Sequence, residues 1–179
     1  GVAVSMETFS AAAKVQANLK ELFQSKLAPG DAYVKVQLSS GMTALLSMRQ
    51  VKESLIVEAS QITPLPNMPE FTIGIINSRD RVFCIFDLAL LLKLSSELIA
   101  PRQHQIIVFQ TVAEPKIYVG LTVTQLQGII RISKEQIQLP NNSIDEELMP
   151  YISGVIKQQE TTVPILNFEN ILQALISQP

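Results

Sequence analysis

Cys84 and His104, the chain's only cysteine and only histidine, are the residue types that could serve as nucleophile and general base in a small hydrolase. Cys84 lies inside the apolar run 82–86, where burial raises the pKa of a thiol and disfavours the reactive thiolate. His104 begins a predicted strand, and we expect it at a strand edge on the surface. The two residues therefore predict no catalytic pair, and a Cys/His hydrolase is kept only as a remote alternative.

The remaining polar residues form no pattern typical of a metal or cofactor site. The acidic run 145–147 follows a polar loop, and its spacing favours a solvated loop over converging Mg²⁺ or Ca²⁺ ligands. A phosphate-binding glycine loop and a dinucleotide fingerprint are both missing from the sequence. A single cysteine excludes an intramolecular disulfide and a four-thiolate zinc site. We therefore predict a protein that is not an enzyme and needs no cofactor and no metal.

The composition is that of an apolar globular protein. The 179 residues are 47% hydrophobic and 17% charged, with a mean hydropathy of +0.25, which suits one domain or two small subdomains. The net charge of −2 and the absence of a basic run argue against nucleic acid as a ligand. The sequence has neither an apolar stretch near the ~20 residues of a membrane helix nor a signal-peptide pattern, so we expect a cytoplasmic protein without direct membrane insertion.

The elements come in two kinds. Residues 8–26 carry apolar side chains at helical spacing and end at a breaker, Ala28-Pro29-Gly30, which predicts an N-terminal amphipathic arm (1–30) before the main domain (31–179). Packing of this helix on its own domain is favoured over docking to a partner. Beyond Gly30 the pattern becomes that of strands, at 32–38, 42–48, 55–57, 73–76, 82–86, 106–110, 117–123, 126–132, 152–156 and 163–166. Short helices at 88–94 and 168–176 follow Asp87 and Asn167, which can cap them. The fold class is mainly β with short helices.

An internal repeat is the most informative feature. Two segments match without gaps at an offset of 80 residues (154 − 74 = 80), and each reads aromatic, strand, turn, strand, cap and helix. The matched positions include Phe71 with Tyr151, Gly74 with Gly154, and Asp87 with Asn167. A duplication predicts two similar barrels that face each other across a cleft. The alternative is that any two hairpin-helix units look alike.

The two copies differ at the turn between their strands. The first reads NSRDR at 77–81 and the second KQQET at 157–161. Arg79 carries a planar donor array that suits bidentate contact with a carboxylate or with backbone carbonyls. The alternative is an ordinary solvated pair worth about 0 to 1 kcal/mol.

Three runs then carry a resemblance to a known family: ITPLPNMPEF at 62–71, GIINSR at 74–79 and FCIFDL at 83–88. They resemble the CheW family of chemotaxis coupling proteins, and the likeness extends over about 33–176. The turn looks most like members from gliding or twitching bacteria, including cyanobacterial phototaxis systems. The resemblance implies a domain at 31–179 that consists of two interleaved five-stranded SH3-like barrels with a hydrophobic groove between them. It also implies a non-catalytic adaptor that couples a CheA-type histidine kinase to the cytoplasmic tip of methyl-accepting receptors.

The resemblance also implies a partner-binding site. The family's receptor-binding arginine, glycine and glutamate fall on Arg79, Gly74 and Glu53, with Asp80 and Arg81 in the same turn as Arg79. The chain departs from the family pattern at Asp80, Ala89, Thr124 and Asn167. Asp80 replaces a usual glycine; it tolerates positive φ and could pair with either neighbouring arginine. Asp80 and the extra N-terminal helix favour an alternative, a regulatory or competing adaptor that binds the kinase but not receptors.

Overall fold

The computed structural model describes residues 30–39, 41–95 and 101–177. The predicted N-terminal helix at 8–26 lies outside the described residues. The strands are β1 (Asp31–Ser39), β2 (Met42–Ser47), β3 (Val51–Glu58), β4 (Thr72–Ser78), β5 (Arg81–Asp87), β6 (Gln103–Gln110), β7 (Tyr118–Val123), β8 (Gln125–Ile132), β9 (Ile152–Gln158) and β10 (Thr161–Leu166). The helices are α1 (Leu88–Leu91) and α2 (Phe168–Ser177).

Local sequence signals placed these elements well. Each predicted run contains or overlaps an observed strand, and β3 extends well beyond its predicted core at 55–57. Both predicted caps are formed, since the amide of Leu90 donates to Asp87 Oδ1 at 3.2 Å and that of Asn170 donates to Asn167 Oδ1 at 3.1 Å. Helix α1 ends three residues earlier than predicted. None of the described helices has the length and apolar character needed to cross a membrane.

The strands form two five-stranded sheets, as predicted for a mainly β fold. The first sheet has the order β8-β1-β2-β10-β9 and the second has the order β3-β6-β7-β5-β4. Each sheet contains one parallel pair, β2 with β10 and β5 with β7, at the same place in the order. All other neighbours are antiparallel. The two sheets therefore share one topology.

The repeat is present in the hydrogen-bond register. Ile76 lies opposite Phe83 and Ile156 lies opposite Val163, so both hairpins match at an offset of 80. The amide of Asp87 donates to the Phe71 carbonyl at 2.7 Å, and the amide of Asn167 donates to that of Tyr151 at 2.8 Å. The duplicated hairpin-helix units are therefore equivalent in backbone geometry as well as in sequence.

The structure extends this repeat to β3 and β8, where the offset is 75 residues. Each of these strands ends in a 3₁₀ turn that is closed by a reciprocal side-chain cap, Glu58 with Gln61 and Ser133 with Gln136. Each strand also has a register shift against its neighbour near its start. The loop before β9 is five residues longer than the loop before β4 (80 − 75 = 5), which hides this part of the repeat from an ungapped comparison.

The two repeats exchange strands. In chain order, β1 to α1 and β6 to α2 are the two copies, yet the first sheet joins β1 and β2 to β8, β9 and β10. The second sheet joins β6 and β7 to β3, β4 and β5. Neither copy can complete a sheet without the other, so the two β subdomains are interleaved.

The apolar side chains form three cores. The largest lies between the sheets and takes members from both, including Val36 and Leu46 from the first and Phe109 and Leu121 from the second. A second core lies within the second sheet and a third within the first. Phe109 of β6 stacks on Phe168 of α2 with ring centroids 4.4 Å apart, which joins the second sheet to the helix that follows the first.

Candidate functional site

His104 is buried, which corrects the expectation of a surface position. Its exposed fraction is 6%, because it points to the same side of β6 as Ile106 and Val108, into the core of the second sheet. Burial lowers the pKa of His104, and the nearby Asp87 carboxylate partly opposes this shift. Within the described part of the chain, His104 Nδ1 has no hydrogen-bond partner. A neutral imidazole is favoured at this position.

Cys84 and His104 do not form a pair. Cys84 lies level with Val119 on β7, which in turn lies opposite Phe109 on β6. His104 is five residues further along β6, about 17 Å at the rise of a strand. Burial also raises the pKa of the half-buried Cys84 thiol. In the described ranges no three acidic, cysteine or histidine side chains are grouped so that they could hold a metal ion.

The turn between β4 and β5 has the conformation that a tight hairpin demands. Arg79 and Asp80 have φ values of +52° and +64°, and positive φ at both central residues is typical of a type I′ turn. Asp tolerates this region better than most residues, which explains how it stands where the family has glycine. The turn projects the Arg79 side chain away from the hairpin.

Glu53 of β3 receives that side chain. Arg79 Nη1 lies 2.7 Å from Glu53 Oε1, and Arg81 Nη1 lies 3.5 Å from Glu53 Oε2. The Arg81 guanidinium carbon sits 4.4 Å from the centre of the Tyr118 ring, a cation-π contact. We call Glu53, Arg79, Arg81 and Tyr118 the Glu53 cluster. β3 and β4 are the two edge strands of the second sheet. The cluster therefore joins the turn that follows β4 to β3 at the opposite edge.

The other two predicted site residues lie differently. Asp80 is exposed and takes part in neither ion pair, since both arginines turn to Glu53. Gly74 is buried five residues before Arg79 on β4, where an added Cβ would meet the Thr63 carbonyl oxygen and would lie 2.7 Å from Ile62 Cγ2. This close approach gives Gly74 a packing role. Arg79, Arg81 and Glu53 are therefore brought together, Asp80 adjoins Arg79 in the turn, and Gly74 lies apart from them.

An open cavity of about 340 Å³ lies between the sheets, directly beside the Glu53 cluster. Its lining is mostly apolar and comes from β1 and β8 on one side and from β3 and β6 on the other. We call this cavity the intersheet groove, and its lining includes Val34, Leu126, Ile129, Val51, Ile107 and Met48, with Lys52, Glu53 and Arg131 as charged members. Glu53 thus belongs to the groove and to the cluster at once.

The equivalent end of the first sheet has no such cluster. At the offsets established above, Gly128 stands for Glu53, Gln159 for Arg79 and Thr161 for Arg81. Thr43 stands for Tyr118, because Ile165 pairs with Leu45 as Ile85 pairs with Gly120. Gln159 keeps the positive φ of Arg79, at +57°. The backbone is therefore conserved between the copies, whereas the glutamate and its two arginines occur only in the second sheet.

Two contributors were missed by sequence reasoning. Tyr118 supports Arg81, and its hydroxyl accepts a hydrogen bond from Gln110 Nε2 at 3.2 Å. Tyr118 begins β7 and Gln110 ends β6. Both strands show ordinary β alternation, and no local pattern signals the contact between these two side chains. The lysine and arginine at the groove rim were likewise not predicted.

Comparison with known proteins agrees with this fold. The family model described as CheW-like domain matches residues 33–175. A curated relative, the chemotaxis protein CheW of Thermotoga maritima, is 27% identical over 121 residues, which are 68% of this chain and 76% of that protein. The crystal structure of the scaffolding protein TtCheW from Thermoanaerobacter tengcongensis superposes with a TM-score of 0.64 at 23% identity, over 77% of this chain and 89% of that one.

Proposed function

The chain belongs to the CheW-like domain family, and from this premise we propose that it is a non-catalytic adaptor that couples a CheA-type histidine kinase to the cytoplasmic tip of methyl-accepting receptors. The observation that carries the proposal is the position of Glu53, which lines the apolar intersheet groove and holds Arg79 and Arg81 at its rim. The groove offers apolar contact and the rim offers directed charge. This combination suits an amphipathic helix laid into a groove.

The charged rim supports specificity in this scheme. Arg79 is 62% exposed although one of its guanidinium nitrogens is bound to Glu53. Its remaining donors are therefore available to a carboxylate or to backbone carbonyls of a receptor hairpin. Because Glu53 holds the guanidinium in place, less side-chain entropy is lost when a partner binds.

Kinase binding is assigned to the outer strands of the sheets. Ile56 of the edge strand β3 and Val82 of β5, which pairs with the edge strand β4, expose 52% and 63% of their surfaces, although both are large apolar residues. Edge strands of this kind can pair or pack with another β domain. A regulatory domain of similar barrel fold is the partner that the family resemblance implies.

The test is sedimentation of the purified chain with the kinase and a receptor fragment from its own organism. We expect Arg79→Ala to weaken binding of the receptor fragment about tenfold, which corresponds to about 1.4 kcal/mol, and to leave kinase binding unchanged. Gln159→Ala is the matched control, because it removes a long side chain from the equivalent turn at a similar φ. Equal receptor binding by wild type, Arg79→Ala and Gln159→Ala would overturn the role of Arg79.

A second candidate is an adaptor that binds the kinase but not receptors, and the exposed Asp80 carboxylate beside Arg79 favours it. A negative charge at the rim repels an acidic partner. The same sedimentation assay separates the two functions, since binding of the kinase without the receptor fragment selects this candidate.

A further inference from the structure

The main chain enters the domain at the rim of the intersheet groove. Arg131, which lines the groove, donates from Nη1 to the Gly30 carbonyl at 2.9 Å. Gly30 lies so close to β8 that an added Cβ would be 2.5 Å from the Ile132 carbonyl carbon. Ala32, two residues later, is part of the groove lining. Whatever precedes Gly30 therefore begins at the groove.

A short tether joins this point to the predicted amphipathic segment. Lys26 is four residues before Gly30, and four residues span at most about 14 Å when fully extended. The end of the segment at Lys26 must therefore stay within about 14 Å of the groove rim.

The segment and the groove are chemically matched. Residues 8–26 carry an apolar stripe that includes Val15, Leu19, Leu22 and Phe23. In the groove the half-buried lining includes Met48, Val51, Leu126 and Ile129, and nothing in the described ranges covers it. The match is apolar, because the segment carries a net charge of +2 and the charged lining of the groove, Lys52, Arg131 and Glu53, is also net positive.

We propose that residues 8–26 form an amphipathic helix that docks into the intersheet groove of the same chain and competes there with a receptor helix. A tether this short gives an effective concentration of the order of millimolar, so weak docking suffices to occupy the groove. The docking is independent of the function proposed above, whereas the competition rests on it.

Tryptophan fluorescence tests the docking, because the chain has no tryptophan of its own. In the full chain, Phe23→Trp places the probe on the apolar stripe and Ala17→Trp places it on the opposite side of the predicted helix. We expect a blue-shifted emission and weaker quenching by acrylamide for Phe23→Trp than for Ala17→Trp. Equal emission and equal quenching in the two variants would overturn the docking.

A groove variant then identifies the surface on which the segment docks. Adding Ile129→Asp to Phe23→Trp places a charge in the groove, and we expect the emission to shift to the red and quenching to rise towards the Ala17→Trp values. Circular dichroism checks that the double variant stays folded. A folded double variant that keeps the blue-shifted emission would overturn the groove as the docking surface.

Receptor binding tests the competition. The double variant Leu22→Asp with Phe23→Asp should bind the receptor fragment about tenfold more tightly than wild type if the helix fills the groove nine-tenths of the time. Ala17→Asp with Gln24→Asp adds the same charge on the opposite side and should bind as wild type does. Equal affinities for all three proteins would overturn the competition. Receptor binding by none of them would contradict the proposed function, and the fluorescence result on docking would still stand.

Discussion

At the level of single residues, the Glu53 cluster contributes little to stability. Glu53 is 17% exposed and Arg79 is 62% exposed, and ion pairs that solvent reaches are worth about 0 to 1 kcal/mol. The cluster's value lies in orientation, because one carboxylate fixes two guanidinium groups and Tyr118 supports the second. An arrangement that costs the fold little and directs charge towards a groove is typical of a binding surface.

His104 makes stability depend on pH. Its pKa is lowered in the folded protein by burial, whereas an unfolded histidine titrates near about 6.5. As pH falls below about 6.5, the unfolded chain therefore takes up the proton first and the free energy of unfolding decreases. We expect the melting temperature of the wild type to fall between pH 7 and pH 5.5, and that of His104→Gln to fall less. An equal fall in melting temperature for the two proteins between pH 7 and pH 5.5 would contradict the role of His104 in this pH dependence.

At the level of elements, the sequence predicted the strands and the two repeated hairpins, whereas the interleaving of the barrels was expected only from the family resemblance. All ten strands and both caps follow from local alternation and turn residues, which act within a few positions along the chain. The extension of the repeat to β3 and β8 was hidden by the five-residue difference in loop length. It was also hidden by unlike residues at equivalent positions, such as Glu53 in β3 and Gly128 in β8. The exchange of strands between copies depends on contacts far apart in sequence, and no local pattern encodes them.

The second-sheet hairpin depends on a glycine at its entry. The backbone of Ile75 pairs with that of Thr63 through two hydrogen bonds of 2.8 and 2.9 Å, and Gly74 makes this approach possible. A methyl group at Gly74 would force Thr63 and Ile62 away. We expect Gly74→Ala to lower the free energy of unfolding by about 1 to 3 kcal/mol, as measured by urea denaturation.

Two other glycines provide the controls for this measurement. Gly154→Ala is the equivalent change in the first sheet, where the added Cβ would lie 2.7 Å from Ile137 Cγ2, and it should destabilise similarly. Gly41→Ala adds a methyl group that meets nothing within 4 Å and should cost only the backbone strain of its φ of +79°. If Gly74→Ala were no more destabilising than Gly41→Ala, the close approach would not explain the glycine.

At the level of the whole molecule, the contact between Glu53 and Arg79 depends on the assembled sheet. Glu53 and Arg79 are 26 residues apart, and their ion pair spans from one edge strand to the turn beside the other edge. Spacing along the chain cannot reveal that a curled sheet brings its edges together. Comparison of the two turns singled out Arg79 and the family resemblance supplied Glu53, while Tyr118 and the groove rim required the assembled sheets.

The exchanged strands predict that the two sheets unfold as one unit. The first copy contributes β1 and β2 to one sheet and β3 to β5 to the other, and the largest core takes side chains from both. Loss of either sheet would expose the apolar side chains that now pack between them, at about 25 cal/mol for each Å². An intermediate with one intact sheet should therefore not accumulate.

Single tryptophans can report on each sheet separately, with Phe83→Trp inside the second sheet and Tyr33→Trp against the core of the first. We expect both probes and far-UV circular dichroism to give the same urea midpoint, as a two-state transition requires. Phe109→Leu, which disturbs the stack between Phe109 and Phe168, should lower the free energy of unfolding by about 1 to 3 kcal/mol at both probes alike. Separate midpoints, or a shift at only one probe, would mean that the sheets are independent and that strand exchange does not couple them.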